Sequence, residues 1–140
     1  MGDRANVAVK QGDEDKYVYL YSHWGGHELP LDLQAALKRN QRWDDYQYLA
    51  RIIFQQMIGE DKGETGYGIS ASLCDNERPI LVVDCEKQQV RVEPQSKHES
   101  SRPSSQRRNV PGGTFSFTKF VNLKLDPEKP WAKLHKEYEE

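Results

Sequence analysis

Two histidines, His23 and His27, stand in the segment HWGGH and are the first residues with possible chemistry. Imidazole groups bind metal ions and transfer protons near neutral pH. A four-residue spacing places two such rings on one face of a helix, but Gly25 and Gly26 between them indicate a loop instead. Metal-dependent hydrolysis through His23 and His27 is therefore a weak hypothesis, and a capping or surface role is the alternative.

Trp24, between the histidines, could stack on a planar ligand, although tryptophan more often packs against the core. The later segment GETGYG, Gly63–Gly68, could offer backbone N–H groups to a phosphate. It lacks the Lys-Ser/Thr of a phosphate-binding loop and precedes a predicted strand, so a turn is the alternative. The candidate ligand- or partner-binding residues are His23, Trp24, His27, Gly66 and Tyr67.

No catalytic set of residues stands out elsewhere. Cys74 and Cys85 lie near the ends of neighbouring predicted strands, and a zinc site would need further ligands that no paired motif supplies. Asp44 and Asp84 fit a helix cap and a strand-terminal turn. Without a nucleophile motif such as G-x-S-x-G we predict no catalytic residue, no metal and no cofactor.

The composition of the 140 residues fits one domain of common size. Charged residues make up 30% and the mean hydropathy is −0.91, so we expect part of the chain to be unpacked. The net charge of −2 argues against nucleic acid as the main partner. We expect a cytoplasmic protein without a membrane partner, because the sequence has few cysteines, no signal peptide and no apolar run long enough to span a membrane.

The elements that would position these residues begin with a hairpin. Residues 6–11 and 16–22 alternate as strands, and the second has apolar character on both faces, which is typical of a strand inside a sheet. We expect its tyrosine face to lie under a helix. Pro30 then starts a helix over about residues 30–39.

The second helix has the clearest pattern. Asp44 and Gln47 predict a capping box, and Trp43 and Tyr48 occupy the positions of a hydrophobic staple. Gly59 is placed for a left-handed C-terminal cap. The apolar stripe that should face the core consists of Leu49, Ile52, Ile53 and Met57.

The chain then returns to strands, over residues 67–74, 80–84 and 89–93, which we expect to form a three-stranded antiparallel meander. Residues 94–113 are rich in Ser, Arg and Pro and predict a flexible insertion. The insertion carries a basic cluster that could contact nucleic acid or an acidic partner, formed by Lys97, Arg102, Arg107 and Arg108.

After the insertion, residues 114–125 predict a strand and a short helix capped by Ser116, whose Phe117, Phe120 and Val121 return to the core. Residues 126–140 predict a charged tail with a short helix. The predicted fold is α+β: an antiparallel sheet of five or six strands with two adjacent helices on one face. Residues 1–93 and 114–125 form its single domain.

Several segments in this order resemble a group of small, uncharacterised phage and bacterial proteins. The segments are VYLYSHWGG, RWDDYQYLARIIFQQMI, GETGYGIS, DNERPILVVDCEKQQVRVE and FSFTKFV. The resemblance covers residues 7–93 and 114–123 and implies no activity or functional residue, and this chain differs from the group by its insertion and charged tail.

Our main functional hypothesis is a non-catalytic binding module, a phage or mobile-element accessory protein that engages a host macromolecule, with protein as the favoured partner. The alternative is a small-molecule or nucleotide binder that uses Trp24 and the Gly63–Gly68 loop. Metal-dependent hydrolysis is the third hypothesis.

Overall fold

The computed structural model describes residues 3–12, 16–60, 66–73, 76–98 and 112–134. In chain order the elements are β1 (Ala5–Lys10), β2 (Tyr17–Ser22), α1 (Leu29–Lys38), α2 (Tyr46–Ile58), β3 (Tyr67–Ser70), β4 (Ile80–Asp84), β5 (Gln89–Glu93), β6 (Thr114–Ser116) and α3 (Phe117–Val121). Two 3₁₀ turns are also present, at Gln95–His98 and Ala132–Leu134. The predicted α+β class is confirmed.

The six strands form one sheet in the order β3-β2-β1-β4-β5-β6. The β1–β2 hairpin is antiparallel as expected, whereas β1 and β4 are parallel. The predicted meander of β3, β4 and β5 is wrong, because β3 pairs with β2 at the far edge. Every residue of β4 is buried, which suits a central strand, whereas β3 carries small residues and the exposed Ile69.

The main core lies between one face of the sheet and the helices. Leu20 of β2 and Leu81 of β4 project from that face, and Leu33 of α1 and Ile53 of α2 meet them, all fully or almost fully buried. Burying each such side chain stabilises the fold by about 1.5–3 kcal/mol before entropy is counted. Phe117 and Phe120 of α3 close the same core, as the sequence predicts.

The tyrosine face of β2 does not lie under a helix, contrary to expectation. Tyr17 and Tyr19 point away from α1 and α2, and Tyr19 packs in a second, smaller cluster with Ala8, Ile80 and Val82. Aliphatic Val18 and Leu20 face the helices instead. This choice leaves the phenol hydroxyls on the side where polar partners are available, as buried tyrosine requires.

Helix α2 begins one residue later than the predicted capping box allows. Asp45, rather than Asp44, is the N-cap and accepts a hydrogen bond from the Tyr48 N–H. The reason is a turn before the helix, in which Arg42 adopts a φ of 60° and its carbonyl accepts from the Asp45 N–H. The predicted staple is therefore wrong as well: Tyr48 is exposed, and Trp43 packs on Phe117.

The ends of α2 and α3 follow the predicted chemistry. Gly59 ends α2 with a positive φ of 60°, although its ψ of −124° lies outside the left-handed helical conformation, and Ser116 caps α3 by accepting from the Lys119 N–H. The expected flexible insertion begins differently, since Gln95–His98 forms a 3₁₀ turn against the sheet. Residues 99–111, and residues 135–140 of the expected C-terminal helix, lie outside the described residues.

Candidate functional site

The HWGGH loop, residues 23–27, follows β2 and is held in place by Asp3, two residues before β1. The Asp3 N–H donates to the His23 carbonyl at 2.8 Å, and the Gly26 N–H donates to the Asp3 carbonyl at 2.9 Å. The His27 N–H donates to Oδ2 of Asp3 at 2.9 Å. One residue therefore satisfies the backbone at both ends of the loop, which fixes its path.

Arg78 and Trp131 add further hydrogen bonds that hold Asp3 and the loop in place. Arg78 donates to both carboxylate oxygens of Asp3, at 3.0 and 2.9 Å, and this hydrogen bonding is the largest cause that lowers the pKa of Asp3. Trp131 donates from Nε1 to the Gly26 carbonyl at 2.8 Å. A Cβ on Gly26 would lie 2.4 Å from Oδ1 of Asp3, so only glycine allows this close approach.

The first residues of the loop join neighbouring residues of β2 and β3 in a group that we call the aromatic patch: Tyr21, His23, Trp24, Gly66 and Gly68. The Tyr21 hydroxyl and Nδ1 of His23 are 2.7 Å apart, and the His23 and Trp24 rings meet edge to face at 4.8 Å between centroids. The Trp24 ring covers Gly66, where a Cβ would lie only 2.4 Å from the indole.

The strand register explains this arrangement. Tyr21 is paired with Gly68, and the His23 N–H donates to the Gly66 carbonyl at 2.8 Å, so the two glycines lie beneath the aromatic rings. Aromatic side chains commonly cover glycines in edge strands, where the glycine leaves room for the ring. Packing alone does not account for Trp24, since 56% of it remains exposed.

Among the predicted binding residues, the structure brings His23, Trp24 and Gly66 together. Tyr67 is paired with Ser22 and packs against the main core on the helix side of the sheet, so it does not join the patch. His27 is exposed and is tied to Asp3 through its backbone. Arg102, Arg107 and Arg108 of the basic cluster lie outside the described residues.

For a metal site, the histidine geometry is unfavourable. Nδ1 of His23 already bonds Tyr21. Within the described part of the chain, no group of three or more His, Cys, Asp or Glu side chains is arranged to hold a metal ion.

In the same residues, no helix is both long and apolar enough to cross a bilayer.

A buried polar network on the same face of the sheet was missed by sequence reasoning. His98 bridges the Tyr19 hydroxyl, 2.8 Å from its Nδ1, and a Glu93 carboxylate oxygen, 2.9 Å from its Nε2. Arg91 forms ion pairs with both Glu93 and Asp84: its Nε lies 3.2 Å from Oε2 of Glu93, and its Nη1 lies 2.8 Å from Oδ2 of Asp84. His98 stands in a polar segment that predicts a flexible insertion, so no sequence pattern identifies it as buried.

The electrostatics indicate that this network is structural. Burial is the main cause that raises the pKa of Tyr19 to about 12. Burial opposes ionisation of Asp84, but Arg91, the Lys87 N–H and Lys10 outweigh it and lower the Asp84 pKa. The His98 side chain is only 1% exposed, so a substrate cannot reach its nitrogens.

Cys85 also gives no sign of reactivity. Burial, reinforced by nearby carboxylates, raises the pKa of its thiol to about 12, which leaves almost no thiolate at neutral pH. Cys74 lies outside the described residues, and β3 is not a neighbour of β4 in the sheet, contrary to the expectation for the strands that precede Cys74 and Cys85.

Comparison with known proteins adds no relative. No family model, no curated protein and no solved structure matches this chain significantly. The resemblance to small phage and bacterial proteins therefore stays a prediction, and function must be argued from the geometry of the chain itself.

Proposed function

We propose that this protein is a non-catalytic binding module that engages a protein partner through the aromatic patch. The observation that carries the proposal is the exposed Trp24 ring on a loop whose backbone is fixed by Asp3, Arg78 and Trp131. Tryptophan is enriched among the residues that dominate binding energy at protein interfaces. A fixed loop loses little conformational entropy on binding, which favours affinity.

The chemistry of the patch favours a protein surface over a charged ligand. None of its residues is an acid, a lysine or an arginine: two are glycines and the others are Tyr21, His23 and Trp24. Amphipathic rings of this kind combine apolar contact with a few hydrogen bonds, as at the centre of protein interfaces. The role fits an accessory protein of a phage or mobile element that acts on a host macromolecule.

The matched test compares Trp24→Ala with Tyr48→Ala. The two side chains are equally exposed, at 56% and 57%, but Tyr48 lies on α2. We expect a partner captured from producing cells by the wild-type protein to be recovered at least tenfold less by Trp24→Ala and equally by Tyr48→Ala. Equal recovery by both variants, with melting temperatures near that of wild type, would refute the proposal.

A second candidate function is the binding of a small planar molecule, such as a nucleobase, on the open side of the Trp24 ring. It is favoured by the contact between Trp24 and Gly66, since Gly66 belongs to the loop that this hypothesis pairs with Trp24. Titration of Trp24 fluorescence with mononucleotides tests it, with Trp24→Phe as the control. Saturable quenching that disappears in Trp24→Phe would support this function, and unchanged fluorescence would exclude it for these ligands.

A further inference from the structure

The outward side of α2, together with the end of α1 and the loop that joins the two helices, carries positive charge that no ion pair within the described residues offsets. We call the residues Arg39, Arg42, Tyr48 and Arg51 the basic face; all are exposed. The described ion pairs instead involve Lys10, Arg78, Arg91 and His98. The chain as a whole has a net charge of −2, yet this surface is positive, because its three guanidinium groups form no ion pair with any described residue.

Helix periodicity places the α2 members of the basic face, Tyr48 and Arg51, away from the core. Leu49, Ile53 and Met57 of α2 are buried, whereas Tyr48 and Arg51 lie on the opposite side at a rotation of about 100° per residue. The aromatic patch lies on the other face of the sheet. The basic face is therefore a separate surface, and the inference drawn from it does not depend on the proposed function.

Neutral side chains hold the guanidinium groups in place. Arg39 donates to Oε1 of Gln56 at 2.7 Å, and Arg51 donates to Oε1 of Gln55 at 3.2 Å. Because an amide orients a guanidinium without cancelling its charge, both cations remain available to an anion. Gln55 and Gln56 both lie in the last turn of α2, so both guanidinium groups are held near that end of the helix.

An aromatic ring completes the face near the start of α2. The Arg42 guanidinium lies over the Tyr48 ring, 4.4 Å from its centroid, and Tyr48 is 57% exposed. The two anchor points, at Tyr48 and at Gln55, are separated by about 10 Å along the helix. Asp44 and Asp45 line a depression next to Arg42 and bound the basic face on that side.

We infer that the basic face binds single-stranded nucleic acid. Arginines supply phosphate contacts, and an exposed tyrosine supplies a stacking surface for a base, which is the combination that proteins use on single strands. An acidic protein segment would pair with the arginines but offers no planar base to stack on the Tyr48 ring.

The test is fluorescence anisotropy with a labelled single-stranded DNA 20-mer over a range of salt concentrations. We expect Arg39→Gln/Arg42→Gln/Arg51→Gln to weaken binding at least tenfold. The slope of log affinity against log salt should become less steep by about 2, since each lost phosphate contact contributes about 0.7. Tyr48→Ala alone should weaken binding severalfold.

The matched control is Lys87→Gln/Lys124→Gln/Lys129→Gln, which removes the same charge from exposed positions elsewhere. It should bind as wild type does. Three outcomes would overturn the inference: no binding by wild type at 50 mM salt, equal losses in both triple variants, or equal competition by polyglutamate of the same charge. Circular dichroism of each variant, unchanged from wild type, ensures that a loss reports on binding.

Discussion

At the scale of single residues, Gly66 and the half-buried carboxylate of Asp32 give sharper predictions than His23 and His27 do. Gly66 has a φ of +97° and lies directly under the Trp24 ring. Asp32 lies in the first turn of α1, and burial is the main cause that raises its pKa to about 7, with Glu28 adding repulsion. A substitution at each of these two residues therefore has a specific expected effect on stability.

Gly66→Ala should displace the Trp24 ring and destabilise the fold. A methyl group at this position would lie 2.4 Å from the indole, and the positive φ is strained for any residue with a Cβ. We expect a loss of about 1–3 kcal/mol with altered Trp24 fluorescence. Gly12→Ala is the control, because its φ is also positive, at +71°, but nothing lies within 4 Å of the new methyl. Equal losses and unchanged fluorescence in both would contradict the contact.

Asp32→Asn should stabilise the protein at pH 8 more than at pH 4. The pKa of Asp32 is raised in the folded state, so the folded protein holds its proton more tightly than the unfolded chain does. Its contribution to stability is full below the unfolded pKa of about 3.9 and is lost as the pH rises through about 7. Melting temperatures of wild type and variant across this range measure the effect. A constant difference between them would disprove the assignment.

At the scale of elements, the short 3₁₀ turn Gln95–His98 has a larger role than its length suggests. It inserts His98 between Tyr19 of β2 and Glu93 of β5, and the imidazole also meets the Tyr17 ring at 5.0 Å between centroids. The turn therefore ties strands that are not neighbours in the sheet. Hydrogen bonds replace the apolar burial that this polar segment cannot supply.

His98→Ala should lower the free energy of unfolding by about 2–4 kcal/mol, because it leaves the Tyr19 hydroxyl and the Glu93 carboxylate buried without their shared partner. His27→Ala removes an exposed imidazole and should change stability by less than about 0.5 kcal/mol. Urea unfolding of both variants measures the difference. A His98→Ala variant as stable as His27→Ala would show that the network does not hold the turn.

Most elements were predictable because they depend on local patterns. Alternation identified β1, β2 and β5, an unbroken apolar run identified β4, and helical apolar periodicity identified α1 and α2. The order of the strands depends instead on contacts between distant parts of the chain. β4 lies beside β1 at the centre of the sheet, where its apolar residues and the paired Asp84 can all be buried, and β3 lies at the edge. His98 escaped prediction because its burial depends on Tyr19 and Glu93, which are distant in sequence.

For the candidate site, the sequence identified Trp24 and Gly66 but not the reason they meet. Their contact follows from the pairing of β2 with β3, which no short segment encodes. The fastening of the loop by Asp3, Arg78 and Trp131 joins three parts of the chain and has no sequence pattern of its own. Tyr67 was assigned to the site by proximity in sequence, but alternation along β3 turns it to the opposite face.

At the scale of the whole molecule, the sheet separates two surfaces of different chemistry. The aromatic patch lies on the face of the sheet away from the helices and contains no acid, lysine or arginine, whereas the basic face lies on the outer side of α2 and the loop before it. On the two proposals above, the protein partner and the nucleic acid would therefore not compete for the same surface. The proposed function places the protein partner on the sheet side, and the further inference places nucleic acid on the helix side.

The most direct test of the proposed function is ¹⁹F NMR of protein labelled with 5-fluorotryptophan, which reports separately on Trp24, Trp43 and Trp131. Single Trp→Phe variants assign the three resonances. On addition of the captured protein partner, we predict that the Trp24 resonance shifts or broadens while those of Trp43 and Trp131 stay in place. Binding of the partner with an unchanged Trp24 resonance would contradict the account.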